Sequence, residues 1–311
     1  MSLSSRSLWI FLSTLLVIDI IWLWAEGFTV NPFPFVFMIM SVIILAGIIY
    51  FYTYKRPDQK ITDASKCFLI MILFTNVLAH FSYVSLSLNL PLIDATLAGF
   101  DTAIGYDWMA VLAWTNEHPT IGWVLTFAYR STGPQVFLVV LILSFLQRQK
   151  QLHEFIWLYM ITGSTVIFIA AIFPAAGAYI YYAPPAELFA NLNPEAGVWH
   201  WQHFQGLRDG SMRHIDLSKI EGLVTYPSFH TCLAIITTWA VVGIRYVFPI
   251  AFFINTLVII STLTEGGHHL ADVFAGAGVS IVAMWAMRAD WRKISAFVGF
   301  PPKAQQMPVE A

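Results

Sequence analysis

Charge is what this sequence is short of. Only 11% of its 311 residues are Asp, Glu, Lys or Arg, against about 25% in a typical soluble domain. Hydrophobic residues make up 58%, so the chain cannot cover its surface for water, and a soluble globular protein is excluded. Cysteine is almost missing. Cys67 and Cys232 fall in apolar segments assigned to opposite bilayer faces, so neither a disulfide framework nor a zinc site follows. The net charge of −2 excludes a basic footprint for nucleic acid. The first apolar run, Leu8 to Trp24, lacks a small-residue cleavage site and carries Asp19. It reads as a retained helix rather than a signal peptide.

Long apolar runs are what the sequence does have. Windows of about 18 or more residues mark membrane spans. They fall near 7–25, 34–54, 66–88, 120–147, 154–174, 230–247, 249–264 and 270–288. Asn31-Pro32, Lys55-Arg56-Pro57-Asp58, Pro119 and Phe248-Pro249 separate them, as helix breakers should. The expected fold is all-α, a polytopic membrane helical bundle of about eight transmembrane helices. Residues 1–119 form N-terminal helices plus an interfacial segment. Residues 120–290 form the catalytic membrane domain with an outer loop at 175–229, and 291–311 a cytoplasmic tail.

Basic residues set the orientation. With the N-terminus inside, twelve of the sixteen lie on the inner side: Arg6, Lys55, Arg56, Lys60, Lys66, Arg148, Lys150, Arg245, Arg288, Arg292, Lys293 and Lys303. Arg130, Arg208, Arg213 and Lys219 remain outside, a positive-inside bias that puts both histidine motifs of this multi-pass protein on the non-cytoplasmic face; a plasma (inner) membrane is the expected host. Residues 89–118 contain no Lys or Arg, but hold Asp94, Asp101, Asp107 and Glu117 among apolar residues. Such an amphipathic stretch belongs in the interface, with packing as its simplest role. In the outer loop, Trp199 and Trp201 beside His200 and His203 suit a membrane-interface belt. His200, His203 and His214 have no carboxylate at ligand spacing, so no metal site is expected.

The stretch from Tyr226 to Gly276 carries the chemistry. It contains Tyr226-Pro227-Ser228-Phe229-His230, then Gly266-Gly267-His268-His269-Leu270-Ala271-Asp272-Val273. The two apolar segments between them, 230–247 and 249–264, each read as long enough to cross and return, so both motifs meet on the non-cytoplasmic face. His268 and Asp272 stand at i and i+4, one helix face. The carboxylate can fix the imidazole tautomer and leave the other nitrogen free to attack. His230 can then protonate a leaving group. A structural His–Asp cap has the same spacing. His269 lies off that face and reads as an interface residue. Ser228, after Pro227 at a helix start, offers a phosphate seat, or an ordinary N-cap. Arg208 and Arg213 in the outer loop, and Arg130 within the fourth span, are candidates for phosphate oxygens.

Pro227-Ser228-x-His230 followed by Ser261-x6-His268-x3-Asp272 resembles the second and third signatures of the type 2 phosphatidic acid phosphatase superfamily. The resemblance implies a six-helix catalytic core, with His268 as the phosphorus nucleophile, Asp272 orienting it and His230 as the acid. Two positions depart from the pattern. Thr262 stands where the third signature has Arg, and the first signature, Lys-x6-Arg-Pro, has no match before the outer loop. Ala183-Pro184-Pro185, Arg213-x-x-Asp216 and His268-His269-x-x-Asp272 resemble the branch containing fungal inositol phosphorylceramide synthase.

Three functions follow as expectations. The first is a head-group phosphotransferase, in which His268 attacks a phospholipid diester and a lipid or polyol alcohol accepts the phosphoryl group. The second is a lipid phosphate or pyrophosphate phosphatase, with water as acceptor. The third is a non-catalytic lipid-binding or transport protein. Phosphohistidine chemistry calls for no metal and no organic cofactor.

Overall fold

In the computed structural model, residues 5–192, 195–198, 200–219 and 222–289 are described; Trp199 and the tail 291–311 lie outside them. The apolar runs are helices: α1 (Ser5–Ala25), α2 (Phe33–Tyr50, continued by a wider turn to Lys55) and α3 (Gln59–Ser85). The acidic segment folds as α4 (Asp94–Ala103) and α5 (Trp108–Glu117), ahead of α6 (Pro119–Phe145) and α7 (Gln149–Ile172). Three short helices occupy the outer loop: α8 (Ala178–Tyr182), α9 (Glu195–Val198) and α10 (Trp201–Asp209). The chain closes with α11 (Phe229–Ala240), α12 (Val247–Ser261) and α13 (Leu270–Arg288).

Local chemistry sets the helix starts. Asp58 accepts from the Lys60 and Ile61 amides at the head of α3, and Asp107 from Ala110 at the head of α5. Pro119 begins α6, where the missing N–H is no loss.

Six of these helices are long and apolar enough to span a membrane. The remaining two expected spans are shorter than their hydrophobic windows: α11 has 12 residues and α12 has 15. Turns take up the difference. The Val241 and Val242 amides close back on the Thr238 and Trp239 carbonyls, and Gly243 adopts a φ of +81° that a side chain would resist. Beyond α12 the chain again leaves the helix, through turns at Thr262–Glu265.

α11 is the centre of the bundle, packed against α6, α7, α12 and α13. The core around it joins Phe74 of α3, Val140 and Leu143 of α6, Phe155 and Leu158 of α7, Ile236 of α11 and Ala283 of α13. α2 leans on α3 and buries none of its own residues, leaving Phe37 and Ile43 outward, as a lipid-facing helix would. One parallel ladder, β1 (Thr29–Val30) with β2 (His214–Ile215), ties the N-terminal helices to the outer loop.

Candidate active site

The second histidine motif folds as a tight loop ahead of α13. His268 N donates to Thr262 O (3.1 Å), turning the chain back so that the side chain lies over the first turn of the helix. His268 Nδ1 stands 3.1 Å from Asp272 Oδ2, and the same oxygen accepts the His269 amide at 3.0 Å. One carboxylate thus caps α13 and fixes the imidazole. Both side chains are buried. Burial pulls His268 down to about 4 from 6.5, His269 adds to the shift, and the nearby Thr225 backbone opposes it. The ring is therefore neutral near pH 7, the form a nucleophile needs.

The first motif is tied to the second through the backbone. Ser228 N donates to Asp272 O at 3.0 Å, and Cys232 Sγ lies 3.2 Å from Gly276 O. At this crossing α13 carries Gly276, where a Cβ would run into the Ser228 carbonyl. His230 follows two residues later and stacks on Tyr129 of α6, ring centroids 4.2 Å apart and 20° off parallel. A methyl placed on Gly266 would meet Tyr129 Cε2 at 3.1 Å and His268 Cδ2 at 2.9 Å. Tyr129 thus borders both motifs, stacked on His230 and close to Gly266 beside His268.

Ser228 is the N-cap of α11. Its Oγ accepts from Thr231 N (3.4 Å) and Thr231 Oγ1 (3.1 Å), which is the ordinary capping role open to it. The arginines divide. Arg208 Nη2 donates to Leu90 O at 2.7 Å, while its Nη1 is buried without a hydrogen-bond partner among the described residues. Asp94 is close enough to act on its charge. Arg130 is exposed on α6 and acts electrostatically on Glu265. Arg213 goes elsewhere: Nη1 lies 3.5 Å from Glu26, and the guanidinium sits 4.8 Å over Phe28, beside the β-ladder. The expectation of Arg213 as a phosphate ligand is corrected on this point, because its carbonyl accepts the Thr29 amide just before β2 and its side chain turns to the N-terminal segment.

Several groups at the site lie outside the two histidine motifs. Trp108 Nε1 donates to Leu263 O (2.9 Å), Tyr179 OH to Thr264 O (2.8 Å) and Ala178 N to Gly267 O (2.7 Å), so α5 and α8 hold the loop at three carbonyls. Glu265 is buried inside that loop, and burial raises its carboxyl to about 7 against the opposing pull of Thr126 and Arg130. A carboxylate three residues before the loop histidine was a visible signal. His269 is also corrected. It is fully buried rather than interfacial, because Asp94 and Asp101 of α4 reach it from two sides.

Gly276→Ala tests the crossing. The added methyl meets backbone, which cannot rotate away, so the variant is expected to lose about 1–3 kcal/mol of stability. Displacement of the Ser228–His230 turn should also lower any phosphoryl-transfer activity. A thermal melt in detergent, with an activity assay on the fraction that stays folded, reads both effects.

A family model described as PAP2 superfamily matches residues 95–286. No curated protein matches the chain. No solved structure matches it.

Proposed function

This chain belongs to the PAP2 superfamily, whose members are phosphatases or phosphotransferases, and from that premise we propose that it is an integral membrane phosphotransferase acting on phospholipid head groups, similar to inositol phosphorylceramide synthase. The observation that carries the reading is the His268–Asp272 contact at 3.1 Å, with His230 stacked on Tyr129 beside the same loop.

The chemistry runs in two steps. Asp272 holds His268 by Nδ1, and the opposite ring nitrogen attacks phosphorus. The bond from phosphorus to the glycerol oxygen breaks, and His230 gives that oxygen a proton, releasing diacylglycerol. The phosphohistidine keeps the head group. An alcohol, a lipid or polyol hydroxyl, then gives its proton to His230 and attacks phosphorus, the N–P bond breaks, and His268 is restored. The free Nη1 of Arg208 is suited to the negative charge that builds on the phosphoryl oxygens, with Arg130 as a second cation. Ser228 lies at the amide-rich start of α11, where an anion is favoured.

Transfer is favoured over hydrolysis by what the site does not offer. Thr262 replaces the third-signature arginine, the first signature is missing, and Arg213 is engaged with Glu26. A phosphodiester carries less charge than a monoester and asks for fewer cations. The positive-inside bias supports a site on the non-cytoplasmic face, and a plasma membrane is the host in this reading.

Purified protein given a phospholipid labelled in its head-group phosphate, with and without an alcohol acceptor, tests the proposal. The expected result is diacylglycerol together with a new phospho-compound that appears only with the acceptor. Free inorganic phosphate from a lipid monoester, with no acceptor dependence, would instead establish the phosphatase reading. Lipid bound but never turned over would establish the non-catalytic one.

A further inference from the structure

Helix α4 lies before the histidine motifs by well over a hundred residues, yet its two acidic side chains end at the candidate nucleophile's loop. Asp101 is completely buried, and both of its oxygens are engaged: Oδ2 accepts Leu270 N and Oδ1 accepts Ala271 N, each at 2.9 Å. Asp94 makes the same kind of fork on the other side of the site, accepting Ala176 N at 2.9 Å and Gly177 N at 2.8 Å. Between the two carboxylates stands His269, with Nε2 at 3.6 Å from Asp94 and Nδ1 at 3.7 Å from Asp101. The two forked segments also meet each other, through Ala178 N on Gly267 O.

Helix initiation alone does not ask for this. The His269 amide at the start of α13 is already capped by Asp272. Asp101 comes from a different helix and takes the next two amides, so what it adds is a fixed position of α13 relative to α4. Burying a carboxylate is costly unless its charge is met, and here two charge-assisted amide bonds meet it. The residues fixed are the two that follow His268 and His269.

We propose that Asp101, supported by Asp94 and His269, is a positioning residue that holds His268 on line for phosphorus. The proposal rests on the phosphotransferase reading of the site. Asp101 touches no reacting atom. It acts through the first turn of α13, which sets where Asp272 and His268 meet.

Two variants weaken the clamp from opposite sides. Asp101→Asn leaves one amide facing an NH2 group. Leu270→Pro removes one of the donors. Proline is well tolerated at the first position of a helix, and His269 before it already has φ −63° and ψ 152°, the conformation a following proline prefers. Asp107→Asn is the control, a helix cap on the same segment whose amide bond to Ala110 stays within α5.

With diacylglycerol release from labelled phospholipid as readout, Asp101→Asn and Leu270→Pro are each expected to lower kcat by roughly 10- to 100-fold, the scale of an ångström-level misplacement. KM should move little, and Asp107→Asn should keep its kcat. In an Asp272→Asn background, Asp101→Asn should add almost nothing to the activity loss while lowering the melting temperature as before, because groups acting as one unit are not additive. Independent, multiplied losses would reduce Asp101 to a stability residue and overturn the proposal. So would an unchanged kcat in a folded Asp101→Asn, or in Leu270→Pro if Asp101→Asn does not fold.

Failure of the enzymatic reading is told apart by a second measurement. The rate at which diethyl pyrocarbonate modifies His268, followed by mass spectrometry, needs no turnover. A several-fold faster modification in Asp101→Asn, but not in Asp107→Asn, supports the clamp even if the unaltered protein turns over no phospholipid. An unchanged rate overturns it.

Discussion

Replacing His268 with alanine is expected to abolish phosphoryl transfer and leave the protein folded. Loss of a covalent nucleophile removes the intermediate itself, a fall on the order of 10⁴-fold or more where such residues have been deleted. The fold should tolerate it, because His268 holds the loop mainly through its backbone amide on Thr262, which alanine keeps. Labelled phospholipid should also leave no acid-labile phosphate on the variant, whereas the unaltered chain should be trapped with label on one histidine. Turnover in His268→Ala comparable to the parent would remove this residue from the mechanism in either its transferase or its phosphatase form.

Asp272→Asn should be nearly as damaging for a different reason. Asp272 Oδ2 serves two donors at once, the His268 ring at 3.1 Å and the His269 amide at 3.0 Å. An asparagine carbonyl in that place can still accept from both, but it is neutral and no longer balances the positive charge that the ring gains as it bonds to phosphorus. In a triad with the same logic that change costs about 10⁴ in kcat. Circular dichroism and the melting curve should change far less than the rate. If the variant keeps most of its activity, the contact is a helix cap alone.

His230→Ala would complete the set, but its reading depends on the leaving group. A donor with an acidic leaving alcohol needs no proton and should be spared. That contrast makes it a finer probe of the acid role than of the existence of the site.

How much of this was legible in the sequence differs from element to element. The long helices were, because hydrocarbon demands unbroken apolar runs with every backbone group satisfied within the segment. The His268–Asp272 pairing was legible from its spacing but not its cause: His268 lies in the loop before α13, and its bond to Thr262 folds it back over the helix start. The lengths of α11 and α12 were not. Hydropathy continues through Val241, Val242 and Ile244, but Gly243 and the turns around it end the helix, and a window average does not feel one φ angle. Arg213 read as a phosphate ligand from its place in the chain. A two-residue ladder with Thr29 and Val30 turned it to Glu26, and so short a pairing leaves no periodicity to detect.

The acidic stretch 89–118 shows the division most clearly. Its composition alone assigned it to the membrane interface, and nothing in it pointed at residues 268–272. Asp101 finds the Leu270 and Ala271 amides across 169 and 170 positions of chain.

What the amino-acid sequence determined by itself was the membrane class and the long helical runs. These follow from solvent and from helix geometry, which act over a few turns of chain. The tertiary structure alone decided which groups stand around His268 and Asp272: His230 through Tyr129, the carbonyl anchors from Trp108 and Tyr179, and the buried carboxylates of α4. Their contacts depend on how separate helices pack, and packing is set by shape and hydrogen-bond satisfaction between segments that no local pattern connects.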